Sequence, residues 1–310
     1  MFITVAICTF NRAESLRRTL DSLAAMQVPS DLVWELVIVN NNSVDHTDEV
    51  IGEYCDRLPV RREFESRPGL SNARNRAIDT AKGEYILWTD DDVVVDPGWL
   101  RAYVEAFRRW PEAAIFGGRI IPRLEPPVPR WVAESVSALA GPYAFRDCGD
   151  HVQPLSVTED RFPYGANWAV RSKEQRAARY DPNLGASSIR PRLGEELDVI
   201  ERLLGSGSIG YWIPQAIVDH CIGHERQTVP YVFKYSMNLG ETHAYCSAVA
   251  TRTAHLWFGV PRGVWKRLII NWWRYHVHRA ISAAPLWVKH MQAYGSARGE
   301  YRYWRQSRGR

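Results

Sequence analysis

The chain is short of the features that mark a secreted or membrane-spanning protein. Its five cysteines, Cys8, Cys55, Cys148, Cys221 and Cys246, are odd in number, widely spaced and without a CxxC pair. That pattern argues against a disulfide framework or a zinc ribbon and for a reducing compartment. No uninterrupted apolar run approaches the ~18 residues that a spanning helix needs. The N-terminal FITVAIC run has no basic leader and is too short for a signal sequence. These absences predict a cytoplasmic protein. Neither GxGxxG nor GxxxxGK[ST] follows the first strand-like segment, so a nucleotide held here is gripped by other means than the dinucleotide fingerprint or the phosphate loop.

What is present suffices for a full core. The 310 residues are 45% hydrophobic and 24% charged, enough for one large or two modest domains. The net charge of +4 hides a division: residues 251–310 hold 12 Lys and Arg against the single acid Glu300, whereas the first 250 hold 27 against 34 acids. The basic character belongs to the C-terminal tail.

The densest chemistry is Asp90-Asp91-Asp92, which ends the apolar run beginning at Tyr85. Two carboxylates ~4 Å apart repel by ~4 kcal/mol at an effective dielectric of ~20. Coordination of a hard divalent cation offsets that repulsion, and such cations commonly bridge to phosphates. An acidic surface turn before a helix starting near Pro97 is the alternative that this stretch leaves open.

In chain order, Phe2 to Cys8 is a buried strand, followed by a loop and a helix with Leu16, Leu20 and Leu23 on one face. Trp34 to Val39 is a second strand, ending in Asn40-Asn41-Asn42-Ser43, with a helix over about 45–55 behind it. Val60 to Phe64 is a third strand. A helix then opens in GLSNARNR with Ser71 as the expected N-cap, and Gly83 stops it before the strand that carries the aspartates. Alternating strands and helices predict a mostly parallel sheet with helices on both faces. Ligands of such sheets gather at the carboxyl ends of the strands, where TFNR, NNNS and TDDD all fall. The prolines at 122, 126, 127, 129, 142 and 154 predict irregular loops without sheet from Gly117 to about Pro163. Glu195 and Glu196 then open a helix, where dipole complementarity alone accounts for ~0.3–1 kcal/mol each.

With these segments in view, the chain resembles the family 2 inverting glycosyltransferases of GT-A fold. The resemblance lies in VAICTFNR, ELVIVNNNS, GLSNARNRAIDTAKGEYILWTDDD, YGANWAVR, GEELDVIERLLGSGSIGYWIP and VDH, in the family's order from residue 2 to about 240. It implies an α/β GT-A domain over 1–245, with a nucleotide-binding half (1–116) and an acceptor and catalytic half (117–245). The tail, 246–310, lies outside it. By this resemblance Thr9, Asn11, Arg12, Arg74 and Asn75 lie near the nucleotide. Asn40 takes the position where many relatives set an aspartate against the base, so a UDP-sugar is favoured while GDP and dTDP stay open. Asp90 is expected at the ribose or the metal shell, Asp91 beside it, and Asp92 on Mn²⁺ or Mg²⁺, with His220 completing the shell. Glu196 falls where the family has its catalytic base, Glu195 being the alternative, and Asn167 and Trp168 border the acceptor pocket. The implied reaction is metal-dependent inverting transfer of a sugar from a nucleoside diphosphate to a sugar or lipid-linked hydroxyl. A nucleotidyltransferase, or a non-catalytic protein docking on acidic lipid or nucleic acid, are the rival readings. Two separated acid clusters favour the enzyme over the binding module, and no nucleic-acid partner is expected.

The tail carries a further expectation. On a helical wheel over 264–278, Val264, Trp265, Leu268, Ile269, Trp272, Trp273 and Tyr275 share one broad side, with Lys266 at its edge. Six of the 13 tryptophans lie beyond residue 250. Trp with Lys and Arg is the composition of helices that lie in a headgroup layer, which predicts peripheral attachment to an anionic membrane surface on its inner face. Packing of the same side on the catalytic domain or a partner subunit is the alternative.

Overall fold

The structure, a computed structural model, describes residues 1–187, 192–247 and 256–307. The first half runs β1 (Phe2–Thr9), α1 (Ala13–Ala24), β2 (Val33–Asn40), α2 (Thr47–Glu53), β3 (Val60–Phe64), α3 (Leu70–Thr80), β4 (Tyr85–Thr89), β5 (Val93–Val95) and α4 (Trp99–Arg109). There follow β6 (Ile115–Leu124), α5 (Arg130–Ala133), β7 (Gln153–Pro154), β8 (Asn167–Arg171), α6 (Ser172–Ala177), α7 (Glu195–Gly205) and β9 (Gly210–Ile222). The chain ends in α8 (Val229–Ser247), the short pair β10 (Leu256–Trp257) and β11 (Val260–Pro261), α9 (Arg262–Ile281) and α10 (Ala284–Gln306).

One compact unit comprises 1–123, 144–187 and 195–221. Its nine-stranded sheet has the order β3-β2-β1-β4-β8-β6-β9-β5, with β7 added on β9. From β3 to β4 the strands are parallel, and β8 joins β4 antiparallel. The apolar runs of β1, β2 and β4 are continuous because both their faces are covered. On one face Ile3, Val5 and Ile7 meet Leu16, Leu20 and Leu23 of α1, as the helical spacing predicted. On the other, Val37, Val39 and Trp88 meet Ala73, Ala77 and Ile78 of α3 and Val199 and Ile200 of α7. The register sets Thr9 beside Asn40, and Thr89 opposite Asn167, so the polar residues that end these strands lie at one edge.

Two local expectations change. The segment after Gly117 is not free of sheet: β6 extends to Leu124. Its glycines admit neighbours, since a Cβ on Gly117 would stand 2.7 Å from the Pro163 side chain and one on Gly118 only 2.4 Å from Asn167 Nδ2. They mark close backbone approach within a strand, not a loop. Ser71 is not the cap of α3 either. The helix starts two residues earlier, at Leu70 behind Gly69 at φ 119°, and the Ser71 hydroxyl donates to Leu184 O at 2.7 Å.

The second compact unit comprises 124–143, 192–194, 222–247 and 256–307. The division anticipated at 245 therefore falls near 222, because α8 packs on α10. Their approach is very close: a Cβ on Gly240 would stand 1.9 Å from Ser296 O, and one on Gly299 1.8 Å from Met237 O. Helix α9 lies on the other side of α10, with Tyr275 against Tyr294, Asn271 Nδ2 donating to Ala293 O, and Arg267 paired with Glu300. Among the described residues no helix is long and apolar enough to cross a membrane.

Candidate active site

Asp90, Asp91 and Asp92 follow β4 directly, and three other elements converge on them. From the loop between β1 and α1, Arg12 Nη1 donates to Asp91 Oδ1 at 2.9 Å and to Asp92 Oδ2 at 2.7 Å. From β9, whose register sets His220 opposite Val93, the imidazole Nε2 lies 3.1 Å from Asp92 Oδ1. From α3, Arg74 Nη2 lies 3.6 Å from Asp90 Oδ1. Asp91 and Asp92 are buried, while Asp90 keeps 35% of its side chain exposed. Burial pushes the Asp91 carboxyl up to about 6 against the pull of Arg12, and Asp90 is pushed up for the same first reason.

Arg74 ties this cluster to the acids of α7. It is buried, with Nη1 2.9 Å from Glu195 Oε1 and 3.8 Å from Glu196 Oε2. Its guanidinium also lies 5.3 Å from the Tyr180 ring centroid and 5.9 Å from that of Trp88. Gly165 makes room for it, since a Cβ there would stand 2.6 Å from Nη2. Glu195 is buried, and that burial, reinforced by Glu196, pushes its carboxyl up to about 8. Glu196 keeps 21% of its side chain exposed and is not locked to Arg74. Nearby, burial pushes the Cys8 thiol up to about 12.

The site holds more negative than positive charge. Of five acidic side chains, Asp90, Asp91, Asp92, Glu195 and Glu196, the four other than Glu195 still outnumber the two guanidiniums of Arg12 and Arg74. A divalent cation would offset that imbalance, and the oxygen and imidazole donors at hand are Asp90, which is partly exposed, and the buried Asp92 and His220. Among the described residues no three His, Cys, Asp or Glu side chains form a ready cage. Such donors suit an ion that takes its remaining ligands from phosphate and water.

Several residues marked out by the sequence have other tasks here. Thr9 is buried beside Asp91, where its hydroxyl favours the carboxylate. Asn11, at φ 52°, accepts from Val44 N at 2.7 Å while its own N donates to Ser43 Oγ at 2.9 Å. Asn40 is buried: Nδ2 donates to Asp48 Oδ1 at 2.9 Å and Oδ1 accepts from Ser43 N at 2.8 Å. Its amide holds the turn together and is not turned outward to a base. Asn41 Nδ2 likewise donates to Glu65 O and Arg67 O, and Asn75 exchanges hydrogen bonds with the Tyr180 backbone.

The expectation for Asn167 and Trp168 is corrected outright, since both are fully buried. Asn167 Oδ1 accepts from Trp99 Nε1 at 2.8 Å and Tyr103 OH at 2.9 Å, and Nδ2 donates to Arg119 O and Ala216 O, each at 2.8 Å. Its hydrogen-bonding capacity is filled by the core. Trp168 packs in the core beside Trp88, its partner across β4 and β8. Neither borders an acceptor. Sequence reasoning also passed over Phe10, whose ring is 50% exposed at the carboxyl end of β1. An aromatic close behind the apolar run of β1, in the loop that also carries Asn11 and Arg12, was the available signal.

This geometry has the form of a GT-A glycosyltransferase site, and the chain belongs to glycosyl transferase family 2, whose model it matches over residues 4–171. It is 26% identical over 250 residues to the succinoglycan biosynthesis protein ExoM of Rhizobium meliloti, covering 78% of this chain and 74% of that one. It is 27% identical over 226 residues to the glucosyl-dolichyl phosphate glucuronosyltransferase of Haloferax volcanii, covering 71% and 69%. Among solved structures, the mannosyltransferase PcManGT of Pyrobaculum calidifontis, in complex with GDP-Man and Mn²⁺, matches with TM-score 0.59 at 17% identity over 98% of this chain and 87% of that one. TarS 1-349 of S. aureus in complex with UDP-GlcNAc matches with TM-score 0.57 at 14% identity over 97% and 92%. At those identities the two structures establish the fold, which is GT-A, with a C-terminal helical region.

Proposed function

We propose that this glycosyltransferase moves a sugar from a nucleoside diphosphate to a hydroxyl acceptor in one metal-dependent, inverting displacement. The observation that carries the reading is Glu196: a partly exposed carboxylate beside a buried Arg74–Glu195 pair, next to an acid cluster with too few cations of its own. Glu196 takes the proton of the acceptor hydroxyl, whose oxygen attacks the anomeric carbon on the side opposite the departing diphosphate. Glu195, with its carboxyl pushed up to about 8, keeps its proton at neutral pH and serves to fix Arg74. Asp92, Asp90 and His220 would hold Mn²⁺ or Mg²⁺, which would supply positive charge to offset that developing on the diphosphate. Arg12, half-buried on Asp91 and Asp92, is within reach of the same phosphates, and the Phe10 ring offers its face to the base.

A UDP-sugar is the favoured donor, with GDP and dTDP as the others to be assayed. Likeness to a succinoglycan biosynthesis protein and to a glucosyl-dolichyl phosphate glucuronosyltransferase supports an acceptor in envelope polysaccharide or glycolipid synthesis, sugar or lipid-linked. The proposed location is cytoplasmic, peripheral on the inner face of the membrane. Glu196→Gln tests the mechanism: transfer falls by roughly 10²–10⁴ while donor binding is retained, and the wild type releases nucleoside diphosphate. Pyrophosphate release would identify a nucleotidyltransferase instead, and unchanged turnover would remove Glu196 from the reaction.

A further inference from the structure

The second compact unit carries an apolar surface that its own packing does not use. Helix α9 presents two stripes. Val264, Leu268 and Tyr275 turn inward, and Val264 and Tyr275 are buried. Trp265, Ile269, Trp272 and Trp273 recur at i, i+4, i+7 and i+8, a second stripe about 100° round the helix. Ile269, Trp272 and Trp273 are exposed, Trp273 to 59%. The broad apolar side read from the sequence is thus two faces: the first is turned inward, and of the second Trp265 packs on Tyr301 while Ile269, Trp272 and Trp273 stay exposed.

The hairpin of β10 and β11 continues this outer stripe. Trp265 Nε1 donates to Trp257 O at 3.0 Å, and Arg262 stands 5.7 Å over the exposed Trp257 ring. At the tip, Phe258 has φ 48° and Gly259 φ 82°. A two-residue turn with both φ values positive favours Asn-Gly, and a bulky aromatic there is strained. Phe258 occupies it with 73% of its surface exposed, so neither turn geometry nor core packing accounts for the ring.

We propose that the Phe258 hairpin tip and the Ile269–Trp273 stripe of α9 form a membrane-docking surface for an anionic bilayer. The inference deepens the peripheral location proposed above, from which it takes its orientation, and it rests on this unit's own surface. Charge selects the occupant. Arg262 and Lys266 border the stripe, and the single acid after residue 250, Glu300, is already paired with Arg267. A second copy meeting this face would set cation against cation. A layer of anionic headgroups meets those cations while its acyl boundary takes the aromatic rings.

The test is co-sedimentation of the full chain with vesicles of pure phosphatidylcholine and of phosphatidylcholine mixed with phosphatidylglycerol, at low salt. The wild type should pellet with the mixed vesicles only. Phe258→Ser with Trp273→Ser should weaken that partitioning about tenfold or more, equivalent to ~1.4 kcal/mol, and Lys266→Glu should weaken it while leaving both rings in place. Thermal stabilisation by donor nucleotide with Mn²⁺, measured on the same variants, should be unchanged, which separates failure of this surface from failure of the transferase reading. No pelleting of the wild type, equal pelleting on both vesicle types, or equal pelleting of the double variant would overturn the proposal. A dimer abolished by the double variant in the absence of vesicle binding would assign the face to a second copy.

Discussion

Replacing Glu195 by Gln removes a buried carboxyl without removing its hydrogen bond, because Arg74 Nη1, 2.9 Å from Oε1, can donate equally to an amide oxygen. Arg74 does not become an unpaired buried cation, since Asp90 at 3.6 Å and Glu196 at 3.8 Å remain beside it. In the wild type burial pushes the Glu195 carboxyl from 4.5 up to about 8. Between those values the folded chain keeps a proton that the unfolded chain has released, so stability falls as the pH rises and the loss levels off above the folded value. At ~1.4 kcal/mol per pH unit, raising the pH from about 5 to about 7.5 costs the wild type on the order of 3 kcal/mol through this group. The variant lacks that loss. Thermal melts of both proteins from about pH 5 to 9, without nucleotide or divalent cation, should nearly coincide at the acid end. At about pH 8 the variant should melt roughly 6–12 °C higher, at ~2–4 °C per kcal/mol for a domain of this size. Asp91, pushed up to about 6, contributes the same slope to both proteins. Parallel pH curves, or a less stable variant at about pH 8, would refute the electrostatic account of the Arg74 cluster.

Asn167→Leu should destabilise by ~4 kcal/mol or more, because it leaves the Trp99 and Tyr103 donors and two buried carbonyls without partners at ~1–3 kcal/mol each. A urea midpoint near that of the wild type would show that Asn167 is not the tie between α4 and the sheet. Gly240→Ala sets a Cβ against Ser296 O, 1.9 Å away, and should cost ~1–3 kcal/mol through overpacking. Equal stability by chemical denaturation would mean that α8 and α10 do not cross there.

The elements that organise the site were legible because their physics is local. The Leu16, Leu20 and Leu23 spacing announces α1, and an apolar run breaking into Asp90, Asp91 and Asp92 announces a strand end with chemistry on it. What was misread depends on neighbours distant in sequence. Gly117, Gly118 and Pro122 look like loop residues until Pro163 and Asn167 are seen pressed against the strand that contains them. The family resemblance sets Asn167 at the acceptor pocket, and its segment alone cannot reveal the four partners that come to it from three other elements. The Asn40-Asn41-Asn42 run reads as a binding loop, whereas Asn40 and Asn41 hold the turns that shape the edge of the site. On α9, hydrophobicity alone cannot divide Tyr275 from Trp273, because only the presence of α10 tells which stripe is covered.

Thermal stabilisation by nucleotide, with and without Mn²⁺, tests the metal-dependent donor site most directly. The wild type and Asp92→Ala are melted with UDP, GDP, dTDP or CMP, each referred to its own ligand-free melt. A ligand at ~100 times its Kd stabilises the fold by ~2.7 kcal/mol. At least one nucleoside diphosphate should do so in the wild type with Mn²⁺, and the effect should vanish on adding a chelator and in Asp92→Ala. Equal stabilisation of the variant, or of the wild type without a divalent cation, would contradict the assignment of Asp92 to a metal that holds the donor.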